Sequence, residues 1–170
     1  MTTIPVAVEG VLAGTVLAAA ATDLRSRNIP NWLTLGAMAA GFVLNTWLRG
    51  WPGLKFAALG FGLAALIFIP LFVMRWLGGG DVKLMAAVGA LAGSQNLLAV
   101  FLLDAVLGGA VAVGVIVAKG KLWRTLKNLP RIFSKDRPAE LQAGHEESVG
   151  MPRAVTIAAA TLIVLWMLNR

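Results

Sequence analysis

The chain has 170 residues, of which 58% are hydrophobic and only 14% charged. A soluble domain carries about a quarter charged residues, so this composition belongs to a protein built for lipid. With no Cys and a single His, disulfides, thiolate metal sites and a histidine-cluster metal site are excluded, and neither metal nor cofactor is expected. The net charge of +7 reads as the Lys and Arg of cytoplasmic loops rather than as a nucleic-acid surface.

Six apolar segments follow in chain order: residues 5–22, 32–48, 54–76, 82–93, 97–118 and 152–168. They predict an all-α membrane protein, residues 1–170 forming one integral membrane domain with a bundle of six transmembrane helices. The first segment lacks a basic region before it, so it is not read as a secretory signal. Gly10, Gly14 and Ala18 give it a small-residue face suited to close helix packing, although glycine is also simply frequent in membrane helices. The fourth segment is short and follows a Gly-rich break at Gly78, Gly79 and Gly80. At about 18 Å it cannot cross a core of about 30 Å, so the glycine segment dips below the surface or the helix is re-entrant.

With the N-terminus outside, the inner side collects twelve Lys and Arg against three outside, which predicts N- and C-termini outside and six spans. Residues 119–151 form the one long polar stretch, a cytoplasmic loop. Leu122, Leu126 and Leu129 share a helical face with Trp123 beside them, as in an interfacial amphipathic helix that Pro130 ends. The remainder, with His145, reads as solvated loop.

Four acids lie within or beside the apolar segments: Glu9, Asp23, Asp81 and Asp104. An ionisable group at membrane depth costs about 2.5 kcal/mol or more, so each is a functional candidate. Asp23 closes the first segment, and taken alone it reads as an interfacial acid paired with Arg25 or Arg27. Pro30 and Asn31 then supply a turn and a helix N-cap. Asp81 is harder to explain blandly, because a cap needs neither three preceding glycines nor submersion. Both acids fall on the cytoplasmic side. Two carboxyl groups brought together share a proton, one taking a proton from water while the other polarises a carbonyl. The dipole of the helix that Asp81 opens makes Asp81 the charged partner and Asp23 the proton holder. Glu9 is interfacial at the outer end. Asp104 faces the bundle interior at a depth that does not match the pair. Lys83 projects from another side of its helix and is read first as snorkelling to the interface, second as orienting substrate.

Two motifs carry a resemblance. Asp23-Leu24-Arg25-Ser26-Arg27-Asn28-Ile29-Pro30-Asn31 sets an aspartate before Ile-Pro-Asn, and Gly78-Gly79-Gly80-Asp81-Val82-Lys83 fits Gly-x-Gly-Asp-x-Lys. With Gly150-Met151-Pro152 as a looser third match, the chain resembles the type IV prepilin peptidases, membrane aspartyl proteases of the GxGD type. The likeness is greatest to the short Tad/Cpa-type peptidases of Flp-type pilins. The resemblance implies that Asp23 and Asp81 are catalytic, that Gly78, Gly79, Gly80 and Lys83 support them, and that a prepilin is the partner in the bacterial inner membrane. It implies cleavage after a glycine at the cytoplasmic face, freeing a basic leader. Larger family members carry a four-cysteine region and methylate the new N-terminus; without Cys, the expectation here is peptidase activity alone. Presenilin-like relatives use a Tyr-Asp motif, and this chain has no Tyr. The competing reading is a small proton- or ion-coupled transporter using Asp23, Asp81 and Asp104, but no inverted repeat accompanies it.

Overall fold

A computed structural model describes residues 4–118 and 153–170, without the side chains of 112 and 115–118. The expected amphipathic helix and loop of 119–151, His145 and the motif at 150–152 lie outside the described residues. Among the described residues there are five helices and no strand: α1 Val6–Ser26, α2 Asn31–Arg49, α3 Trp51–Val73, α4 Gly79–Ala118 and α5 Arg153–Leu168. Three helical stretches are long and apolar enough to cross a membrane, Val6–Ser26, Trp51–Val73 and Gly79–Val111, with Arg153–Leu168 a shorter apolar helix.

The all-helical class is as expected; of the six expected helices, the described residues hold five, one of them kinked. The fourth and fifth apolar segments join in α4, interrupted at Gly93, whose φ of 77° and ψ of 172° are not helical. On a straight helix, Asp81 and Asp104 would stand about 34 Å apart at 1.5 Å per residue. Yet the two carboxyl groups interact electrostatically, so the chain turns back at Gly93. Only glycine suits this point: a side-chain carbon would strike the Phe56 ring and would need a left-handed backbone. The turn strands backbone carbonyls of the preceding helical turn. Asn45 of α2, fully buried, meets them: its Nδ2 donates to Ala90 O at 3.1 Å and Leu91 O at 3.3 Å, besides its own Gly41 O at 3.0 Å. Lipid offers no such donors, so the reversal requires a side chain of this type.

Residues 84–92 are buried on every side, which makes the first part of α4 the centre of the packing. On α3, Gly53, Ala57, Gly60, Ala64 and Phe68 form the buried stripe. A Cβ on Gly60 would strike the Gly89 carbonyl, and one on Gly41 would lie 2.8 Å from Ala90 C. Small residues thus set helix approach here. Gly10 and Gly14 do not take part, since a Cβ on either meets nothing within 4 Å. Their face turns outward, while Val8, Leu12, Val16 and Ala19 fill the packed side of α1. Phe68 and Phe101 meet edge to face at 5.2 Å. Residues 106–118 continue as helix, with Val106, Val111 and Val113 exposed.

α1 and α5 run antiparallel and are joined at both ends. Asn169 Nδ2 donates to Glu9 Oε2 at 3.1 Å, and Ala154 N–H donates to Asp23 Oδ2 at 3.0 Å. Glu9 is therefore engaged at the end of the bundle opposite Asp23. α3 stops in a tight turn in which Arg75 adopts φ 59°, with Arg75 N–H donating to Phe72 O and Trp76 N–H to Leu71 O. That hydrogen-bond pattern closes a helix and redirects the chain into α4.

Candidate active site

The turn between α3 and α4 corrects the expected role of the glycine run. Gly79 and Gly80 already belong to the first turn of α4, and neither they nor Gly78 has positive φ. A Cβ on any of the three would find neighbours at 3.4–3.5 Å, which is ordinary contact. The break is made upstream by Arg75 instead. What the glycines provide is a slim helix start, against which Ile29 packs at Gly80 and Phe72 at Gly79. Asp81 follows in the first turn of α4, 9% exposed, with the Gly78 N–H donating to its carboxylate.

Asp23 is also 9% exposed and stands in the last turns of α1. Its carboxylate does not pair with Arg25 or Arg27, both exposed; it accepts the Ala154 N–H instead. An Asp on the first-turn N–H groups of another helix acts as a cap supplied from a distance. Each acid therefore faces a helix N-terminus, Asp81 that of α4 and Asp23 that of α5. The dipole argument that assigned the proton to Asp23 no longer separates the two.

The two motifs meet in space. Ile29 lies against Gly80, and Lys83 Nζ donates to Asn31 Oδ1 at 2.9 Å. Lys83 is exposed, as the snorkelling reading requires, but its ammonium has a fixed protein partner as well. Asn31 is not the N-cap of α2: Pro30 holds that position, no side chain caps the helix, and Asn31 points to Lys83. Asp81 lies within electrostatic reach of Arg153, Asp23 and Asp104. Asp104 faces the interior as expected and is hydrogen-bonded to Thr156. Its expected mismatch in depth is overturned: folding back at Gly93 returns it to the neighbourhood of Asp81. Arg153, Ala154 and Thr156, all in the first turn of α5, were not anticipated as site residues. The one available signal was arithmetic, since Asp81 and Asp104 stand almost equally far along the chain from Gly93. Among the described residues, no group of three or more His, Cys, Asp or Glu could hold a metal ion.

Fold and site together define a helical membrane protein that gathers buried carboxyl groups, drawn from distant parts of the chain, at one end of its packing. The chain belongs to the type IV leader peptidase family, whose profile matches residues 10–113. It is 35% identical over 112 residues to a prepilin leader peptidase/N-methyltransferase of Burkholderia pseudomallei, covering 60% of this chain and 35% of that protein. It is 31% identical over 124 residues to the protein of the same name from Xanthomonas campestris pv. campestris, covering 65% of this chain and 41% of that one. The chain thus spans between a third and a half of these relatives' length. No solved structure matches it.

Proposed function

We propose that this chain is an aspartic endopeptidase that removes the basic leader from type IV prepilins of the Flp type, cutting after a glycine at the cytoplasmic face of the inner membrane. The observation that carries this reading is the convergence of Asp23 and Asp81, equally buried and within electrostatic reach, one from each motif. Family membership supports peptidase chemistry and does not favour the transporter. In the proposed reaction one carboxylate takes a proton from water while the water oxygen attacks the scissile carbonyl carbon. The protonated partner donates to the carbonyl oxygen, and the tetrahedral intermediate collapses as the amine leaves with a proton. A basic leader in the cytoplasm and an apolar stem in the bilayer would present that bond at the depth of Asp23 and Asp81. Methyl transfer is not part of the proposal, which concerns leader cleavage alone.

The finer topology belongs to the same proposal: six spans, α4 supplying two by reversing at Gly93, with both termini outside. The clasp of Glu9 to Asn169 supports placing the termini on one side. Because the chain has no Cys, single cysteines introduced near residues 3 and 169 would report their side by impermeant thiol labelling. Co-expression with a Flp-type prepilin tests the function. Wild type should shorten the pilin, and Asp23→Asn and Asp81→Asn should each leave it uncut; cleavage persisting in either variant would refute the catalytic pair.

A further inference from the structure

α4 returns at Gly93 to place a third acid, Asp104, beside the pair, and the proposed chemistry leaves this acid without a task. Its surroundings give it one. The hydroxyl of Thr156, itself buried, lies within hydrogen-bond reach of two acceptors, the Asp104 carboxyl and, at 2.9 Å, Arg153 O, and its single hydrogen is shared between them. Asp104 Oδ1 is inaccessible and has no partner, so the Thr156 contact falls on the other oxygen. Thr156 stands two residues after Ala154, whose N–H holds Asp23 Oδ2 at 3.0 Å. One helical turn therefore carries both links: Asp104 to Thr156, and Ala154 to Asp23. Arg153, which opens that turn, is within electrostatic reach of Asp104 and of Asp81.

We infer that Asp104 and Thr156 form a positioning pair that fixes the first turn of α5 against the returning part of α4, and so holds the Asp23 carboxylate opposite Asp81. The inference rests on the peptidase reading. Neither residue touches the scissile bond in this scheme; they act through Ala154. A turn of α5 is rigid, so a shift at Thr156 is passed to the Ala154 N–H with little loss. A displacement of about 1 Å between reacting groups can cost about a hundredfold in rate. A threonine hydroxyl and a carboxyl that merely satisfied one another in the bundle would affect stability and leave kcat alone.

The test is steady-state cleavage of a purified Flp-type prepilin by the full chain in lipid nanodiscs. Thr156→Val and Asp104→Ala should each lower kcat about tenfold or more, with KM within about twofold, because orientation and not binding is lost. Thr156→Ser, which keeps the hydroxyl, should retain most of kcat. The double variant should be no worse than the poorer single one, since both break a single link. If Thr156→Val does not fold, Asp104→Ala and Thr156→Ser decide the matter. Folded variants with wild-type kcat, losses that multiply in the double variant, or a Thr156→Ser as impaired as Thr156→Val would each overturn the inference. Failure of the peptidase reading looks different: Asp23→Asn and Asp81→Asn would then cleave as wild type does.

Discussion

Asp23 accepts the backbone N–H of Ala154 at 3.0 Å, so the carboxylate proposed for catalysis also ties the end of α1 to the start of α5. The two duties separate by substitution. Asn keeps an acceptor oxygen for Ala154, whereas Ala leaves the N–H without one. Asp23→Asn should abolish cleavage and melt like wild type in detergent. Asp23→Ala should abolish cleavage and also lose about 1 kcal/mol of stability, the usual worth of an N-cap. Comparing thermal unfolding of the two variants checks this, and equal melting would remove the capping role.

Lys83 and Asn31 join the two motifs at 2.9 Å on an exposed surface. A hydrogen bond of that kind contributes about 1 kcal/mol or less, because water competes for both groups. Lys83→Met should therefore reduce cleavage by no more than about fivefold, which corresponds to that energy. Prepilin processing followed over time would show a slowed reaction that still goes to completion. An inactive Lys83→Met with normal melting would mean that the ammonium acts on substrate directly.

The helical class and the two motifs that carry Asp23 and Asp81 were legible in the sequence, because apolar runs, glycines and isolated charges are local signals. The Ile-Pro-Asn and Gly-x-Gly-Asp motifs could be found, but their physical clasp through Ile29, Gly80, Asn31 and Lys83 could not. It depends on how α2 and α4 approach, which no local pattern states. Asp104 was misplaced for a related reason. Gly93 read as the end of a segment, and a segment end does not say whether the chain continues or turns back. Small residues left two readings open: Gly10 and Gly14 have the same spacing logic as Gly53, Ala57 and Gly60, and only the fold shows which set meets a neighbour.

Asn45 offers a check on the reversal itself. Its amide serves the carbonyls of Ala90 and Leu91 just before Gly93, from a fully buried position. Asn45→Leu has similar bulk but donates nothing, leaving those carbonyls unmet. The expected loss is about 1 kcal/mol, between the cost in soluble interiors and the smaller values found among membrane helices. Equilibrium unfolding in mixed detergent would measure it, and an unchanged midpoint would mean that the carbonyls find other donors.

The contrast between glycines gives the last prediction. A Cβ on Gly60 would overlap the Gly89 carbonyl and fall 2.8 Å from Gly93 Cα, and both of those atoms are backbone that cannot rotate away. Gly60→Ala must therefore push α3 from α4, an overpacking that costs about 1–3 kcal/mol. It would also disturb the turn that brings Asp104 back to the site, so cleavage should fall along with stability. On α1, Gly10→Ala meets nothing within 4 Å and replaces a poor helix former with a good one. It should be neutral or slightly stabilising, with wild-type cleavage. Paired unfolding and processing measurements on the two variants decide the point. A destabilised Gly10→Ala would show that the outward face of α1 packs against something other than lipid.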